Sequence, residues 1–430
     1  MKRLVVLLMM TIIALAPVFA AGQQEGGEAA AEQTMEEQEI TFWTMSLAPA
    51  FNDYLNGVIT EFEAQNPNVT VEWVDVPWGD METKILTAAA SDTMPDVANL
   101  NLPFSQTLAQ NGRLVDMSQE AADVRDRYFA GPWEASSYGD TIFGLPWYIT
   151  TNMIYYNRAI FEEAGLNPDD PPDNFDELYE YARAIKESTG AYGYMTFFND
   201  QFIMEELERM GMRLFNEDFT EANFNTQAVR DAAAYYQRML DEGLIPRQTL
   251  TSQSGTGEAI QLFSAGELAM FFGGTSHARM IQENSEEVYS NTGVAPQITG
   301  QGGKRNIAVM NVTVPESSDH KDAAVEFAKF LTNNENQVEF AREAGAIVPS
   351  TEASLEDSFF SEPDGTPATA ARIMSAQEVA SGSVIFPPIQ NWPEIRDAFI
   401  NAFQRSVAGE GNPQDLLAEA EATANELLNE

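Results

Sequence analysis

Residues 143–157 read FGLPWYITTNMIYYN and crowd five aromatic rings into fifteen residues of a very acidic chain. The run is rich in β-branched and aromatic residues, as a strand is, and the following RAIF opens a helix. Pro146 holds the residue before it extended and favours exposure of the Trp147 ring at a turn. Flat rings with a polar edge serve either as core or as a platform for a ligand. At least one of Tyr155 and Tyr156 is expected in the core, whereas Trp147 and Tyr148 are candidates for a ligand-binding surface.

Outward from this run, the chain alternates between two periods. EITFWTMS (39–46) has strand character, and the next segment sets Phe51, Leu55, Val58, Ile59 and Phe62 at helical spacing until Asn66-Pro67 stops it. VTVEWVDVPW alternates as a strand, METKILTAAASD is helical, and PDVANLN returns to a strand. Strand, helix, strand, helix, strand predicts an α/β fold with helical crossovers. Further helices are predicted behind Asp173 or Asn174, over 229–240, from 319 with His320 at its start, after Trp392, and from Pro413. No repeat period appears.

With 430 residues and 44% hydrophobic content, the chain can bury more than one core. The start, MKRLVVLLMMTIIALAPVFA, joins a basic end to a short apolar run and a small-residue ending. It reads as an export signal over 1–20, with an uncleaved anchor as the alternative. The acidic, Gln-rich stretch 21–39 reads as a leader without structure of its own, so that folding begins near Ile40. Zero Cys excludes disulfides, thiolate metal sites and a lipid-anchoring cysteine. A formal net charge of -43 repels phosphate backbones and argues against nucleic acid as a partner.

The search for catalytic chemistry returns little. Two histidines, His277 and His320, allow no HExxH site, and GTG at 255–257 and GQGGK at 300–304 lack the remaining residues of a phosphate loop. No metal, cofactor or catalytic residue is assigned. A Ser-His-Asp triad or a paired-carboxylate glycosidase stays open at this level, because triad order varies and 66 carboxylates make any pair uninformative.

The order of landmarks, among them ITEFEAQNPNVTVEW, TAAASDTMPDVANLN, LAQNGRLVDMS, the long run through GLPWYITTNMIYYNRAIFEEAGLN, FSAGELAMFFGGTSH and IFPPIQNWPEIRDAFINAF, resembles the extracellular solute-binding proteins of ABC importers. The likeness is to the carbohydrate-binding family that includes maltose-binding protein. It implies a periplasmic-binding-protein-like α/β fold, with two α/β lobes, a ligand cleft between them and about three crossings, near 148–152, 307–313 and 371–376. Lobe 1 would comprise 40–149 plus 313–372, and lobe 2 150–310 plus 375–430. It also implies a monomer that captures a mono- or oligosaccharide, hands it to ABC permease subunits and performs no catalysis, in the periplasm or outside the cell.

Open parallel sheets hold ligands at strand ends. On that ground and on the resemblance, the cleft candidates are Trp43, Ser46, Trp78, Asp80, Asn99 and Asn101 from the first lobe. Trp147 and Tyr148 stand at the crossing, with Asn311 at the return. From the second lobe come Phe271, Gly274, Thr275, Ser276, His277, Gln390, Asn391 and Trp392. Members of the family often carry a Trp after the small-residue turn, where this chain has Ser276 and His277, so one stacking face is replaced by a polar pair. A polyamine or other cationic solute is the alternative ligand, favoured if at least two unpaired carboxylates among Asp80, Asp96 and their neighbours face the cleft. A secreted glycoside hydrolase is the alternative from another class.

Overall fold

The computed structural model describes residues 36–198, 201–251, 256–379, 382–386, 389 and 391–429. The expected export signal, most of the leader, and Gln390 lie outside the described residues. Structure begins with β1 (Gln38–Met45), two residues before Ile40.

The expected alternation is found. After β1 come α1 (Asn52–Gln65), β2 (Val69–Val76), α2 (Trp78–Ala90), β3 (Val97–Asn101) and α3 (Leu102–Gln110). In α1 the residues at helical spacing are the buried ones, and Asn66 closes its last turn. A short hairpin, β4 (Ser137–Tyr138) and β5 (Thr141–Ile142), leads into β6 (Leu145–Asn157), which carries most of the opening run. Then follow β7 (Tyr192–Met195), β8 (Leu268–Gly274), β9 (Thr292–Ala295), β10 (Ile307–Thr313) and β11 (Val348–Pro349). The helix Phe175–Thr189 begins at Asn174, whose side chain accepts from the Glu177 N–H, and the helix Pro413–Leu427 starts on its proline. His320 precedes the helix Lys321–Leu331 but makes no side-chain cap bond.

Nine strands join in the order β2-β1-β3-β10-β6-β8-β7, with β9 and β11 also paired to β6. The pairs β1–β2, β1–β3 and β7–β8 are parallel, while β3–β10, β10–β6 and β6–β8 are antiparallel. At thirteen residues β6 is long enough to serve two partner sets in turn. Residues 145–151 pair β10 and β11, and residues 152–157 pair β8 and β9.

The buried apolar residues divide at the same place. One group gathers β1–β3, the first part of β6 as far as Ile149, β10 and the helices Lys321–Leu331 and Asn334–Ala344. A second holds Ile154 and Tyr156 with the helices Phe175–Thr189, Phe202–Arg209 and Gln227–Asp241 and the two helices from Trp392 on, and a third holds Met153 and Tyr155 with the helices Thr256–Ser264 and His277–Asn284. β8 divides between them, with Ala269, Met270 and Phe272 in the second and Leu268 and Phe271 in the third. Strand alternation explains the split between the second and third groups, since they lie on opposite faces of β6. Ile307, Val309, Met310 and Val312 of β10 pack in the first group, and Ile298 is the last core residue of the second before them. The chain returns from the second group to the first between Ile298 and Ile307. The helix Pro367–Val379 places Ala371 in the third group and Ala376 and Val379 in the first, and Ile395 is the next core residue of the second.

Candidate functional site

Parallel strands bring their carboxyl ends to one edge. Met45 sits opposite Val76, and one residue on the Trp78 N–H donates to Ser46 Oγ at 2.8 Å while Ser46 holds a left-handed backbone at φ 52°. Trp78 is 51% exposed at the start of α2. Asn101 ends β3 and its Oδ1 accepts from the Phe104 N–H at 3.0 Å, capping α3. Asp80, in the first turn of α2, is exposed. Trp43 is half-buried, and the Lys84 ammonium lies 4.0 Å from its ring centroid. With Asp80, Thr83, Thr87 and Thr93 these two line a groove of about 500 Å³ along α2.

From that edge a row of paired residues crosses into β6: Asn101 opposite Met310, Met310 opposite Tyr148, and Tyr148 opposite Pro349. Alternation puts Thr150 and Asn152 on the same face as Tyr148. Thr150 pairs with Ala308, and both are exposed; Asn152 is half-buried and pairs with Gly274. This strip of hydroxyl, amide and small apolar groups carries no charge. It lies where the core groups meet, and Tyr148, kept to 8% exposure, sits at its first-group end with burial pushing its phenol pKa up. Thr150, Asn152, Ala308 and Met310 were not among the candidates drawn from sequence. The signal was there, in the polar residues at every second position after Tyr148.

Several candidates fall elsewhere. Trp147 is fully buried: Phe340 stacks on one face with ring centroids 4.9 Å apart, and Phe42 and Tyr148 close on it. The expectation of an exposed indole is corrected, because an odd position in β6 turns the ring into the first core. Phe271 is likewise core, stacked on Tyr155 at 5.2 Å, an odd partner on the same strand pair. Asn311 is buried beside a register shift in β10, and its Oδ1 accepts from Ser136 Oγ at 2.6 Å. Asn99 is buried and donates to the Asn311 carbonyl at 3.3 Å. Both amides face packed protein, because β3 and β10 are interior strands.

On the other side of the strip, Ser276 is exposed at the end of β8 and Thr275 Oγ1 donates to the Ala346 carbonyl. His277 opens the helix His277–Asn284, half-buried, edge-on to Tyr155 and Phe271. Burial lowers its pKa to about 4, so the imidazole is neutral near pH 7. A Cβ on Gly273 would stand 2.5 Å from His277 Nδ1 and 2.9 Å from a ring carbon of Phe271, so a larger residue there would displace these rings. Trp392 is half-buried against Phe386, ring centroids 5.3 Å apart, and its Nε1 donates to Gln201 Oε1 at 3.4 Å. Asn391 donates to the Leu427 carbonyl at 2.9 Å, which ties it to the last helix.

Charge chemistry is sparse along this path. Asp96 is committed to the fold, since its oxygens accept from the Thr41 N–H at 2.8 Å, from Thr41 Oγ1 at 3.1 Å and from Ser318 Oγ at 2.6 Å. Among the described residues no group of three or more His, Cys, Asp or Glu could hold a metal ion. Two glycines of GQGGK serve packing, since a Cβ on Gly303 would stand 1.8 Å from the Arg209 carbonyl oxygen and one on Gly300 2.3 Å from that of Met210, while the third, Gly302, holds a positive φ of 74° in open space.

Comparison with known proteins agrees with this architecture. The family model described as "Bacterial extracellular solute-binding protein" matches residues 48–338. The galactooligosaccharide-binding protein of Bacillus subtilis (strain 168) is 24% identical over 391 residues, covering 86% of each chain. A crystal structure from Synechococcus sp. MITs9220, provisionally designated an oligosaccharide periplasmic-binding protein, superposes with a TM-score of 0.80 at 33% identity over 91% of this chain and 99% of that one. The sugar-binding protein MalE of Xanthomonas citri has a TM-score of 0.78 at 22% identity, covering 91% of this chain and 97% of its own, a likeness of fold.

Proposed function

The chain belongs to the bacterial extracellular solute-binding proteins, and on that premise we propose that it captures a mono- or oligosaccharide in the cleft between two lobes and delivers it to an ABC permease. The observation that carries the sugar reading is the uncharged strip on β6 and β10 where the core groups meet. Pyranose rings present apolar C–H faces and many hydroxyls, so they suit aromatic faces combined with neutral donors and acceptors. The lobes follow the cores: β1–β3 and β10 with their helices form one, and the second and third groups form the other. Trp78, Ser46 and Trp43 stand on the first bank, Tyr148, Thr150 and Asn152 on the floor, and Ser276, His277 and Trp392 on the second bank. Named relatives support the ligand class, since galactooligosaccharide is bound by one and oligosaccharide is assigned to another.

Binding needs no covalent step. A ligand that touches both banks stabilises the closed arrangement by its differential affinity for it. The protein acts as a monomer exported through its first twenty residues, and mass spectrometry of the mature chain checks the cleavage. Isothermal titration against a panel of neutral mono- and oligosaccharides, followed by tryptophan fluorescence, tests the ligand. Heat and a spectral shift with at least one sugar are expected. Silence across the panel together with binding of a polyamine would reject the sugar reading; of the two carboxylates considered for a cation, Asp96 is engaged by Thr41 and Ser318 while Asp80 is exposed. Turnover of a chromogenic glycoside would reject the non-enzymatic one.

A further inference from the structure

We propose that Glu378 is a positioning residue of the hinge: buried on the helix Pro367–Val379, it fastens the passages between the two lobes to one another and so sets how freely the lobes open. The proposal rests on the reading of the two sets of core groups as lobes that move.

Glu378 is 2% exposed and belongs to the helix that reaches both the first and the third core groups. Its Oε2 accepts from Gln297 Nε2 at 2.9 Å. Gln297 lies between β9 and β10, flanked by Ala295 and Ile298 of the second core group, whereas Asn306 immediately precedes Ile307 of the first, so the two residues stand at the ends of the return passage. The same amide donates to the Asn306 carbonyl at 2.9 Å, and its Oε1 accepts from the Asn306 N–H at 3.1 Å. Asn306 Oδ1 in turn accepts from the Ile385 N–H at 3.1 Å, in the stretch leading to the last two helices. Glu378 thus ties the return passage to the helix and, through Asn306, to the final passage. Three residues earlier on the helix, Ser375 Oγ bonds Thr151 Oγ1 in the middle of β6, which brings in the first passage.

A neutral amide could not replace this carboxylate. Arg305 Nε stands 3.4 Å from Glu378 Oε1, and Arg209, from the helix Phe202–Arg209, adds a second positive field. Arg209 has its own buried partner in Glu206 at 2.8 Å, whereas Arg305 has Glu378 alone among the ion pairs of the described residues. A glutamine at 378 can still accept from Gln297, but its NH₂ then faces the Arg305 guanidinium, donor against donor. Burial raises the carboxyl pKa, and the two guanidiniums and Gln297 oppose that rise. The side chains of this network are none of those in the candidate ligand strip, since Thr151 lies between Thr150 and Asn152 with its side chain on the opposite face of β6. Its effect on affinity runs through the fraction of molecules in the binding-competent arrangement.

The test needs no ligand. The chain has no cysteine, so spin labels at Glu61→Cys in the first lobe and Gln282→Cys in the second report the interlobe distance by pulsed electron resonance. In this background Glu378→Gln is expected to broaden the distance distribution and shift it outward, and Glu378→Asp to restore part of the original profile. Arg305→Met, at a half-exposed partner, should broaden it too and carries the test if Glu378→Gln fails to fold. A residue that merely stabilised the fold would lower the melting temperature and leave the distribution of the folded protein alone. Distributions superposable on the unmodified one in Glu378→Gln, or in Arg305→Met if the first variant does not fold, would overturn the proposal. Sugar binding plays no part in the readout, so failure of the sugar panel and failure of the hinge proposal are separate results.

Discussion

Trp147 and Phe340 stack with their planes 22° from parallel, which joins the strand that crosses the molecule to the helix Asn334–Ala344. The indole anchors β6 at the point where it leaves the first core. Replacing it by alanine empties a site with no solvent access, so Trp147→Ala should destabilise the protein by about 3–5 kcal/mol. Urea unfolding measures this. A mutant of unchanged stability with weakened sugar binding would return the ring to the cleft.

Trp78 has the opposite environment. Half of it is exposed, and its backbone N–H, which any residue would supply, makes the bond to Ser46. Trp78→Ala should leave stability within about 0.5 kcal/mol. It should weaken the affinity of whichever sugar the titration panel identifies by about tenfold, on the order of 1.4 kcal/mol. Equal affinities for the two proteins would remove Trp78 from the site.

His277 makes stability depend on pH. Its folded pKa is about 4, below the ordinary 6.5, so the unfolded chain takes the proton first as pH falls. The stability it contributes is present above pH 6.5, declines as pH falls and is fully lost once pH passes about 4. The loss is on the order of 3 kcal/mol. His277→Gln removes the titration, and the difference between its unfolding midpoint and that of the unmodified protein should change across this window. A constant difference from pH 7 to pH 4 contradicts the assignment.

Gly303 meets the Arg209 carbonyl oxygen so closely that a methyl group cannot enter without moving backbone. Gly303→Ala should cost about 1–3 kcal/mol, as overpacking does. Gly112 has open space around it and a positive φ of 63°, so Gly112→Ala tests backbone strain alone and should cost about 1 kcal/mol. Thermal melts of both variants separate the two causes.

Much of the fold was legible in local pattern. Helical spacing of Phe51, Leu55, Val58, Ile59 and Phe62 led to α1, alternation in VTVEWVDV led to β2, and Asn174 marked the start of its helix. Such periods depend on residues within a few positions of one another, so they survive without knowledge of the rest of the chain. The site was legible only in part. Trp78 and Ser46 could be placed because chain direction puts their strand ends at one edge, while the Lys84 ammonium over Trp43 comes from a helix forty residues later.

By itself the sequence determined the alternation of strands and helices, the strand character of 145–157, the absence of thiol chemistry and the kinship with solute-binding proteins. Tertiary structure alone decided which face of β6 looks inward. Successive side chains on a strand point to opposite sides, so one step of register exchanges Trp147 for Tyr148 and Thr151 for Thr150. Pairing with β10, β11, β8 and β9 sets that step, and those partners lie more than a hundred residues away in the chain.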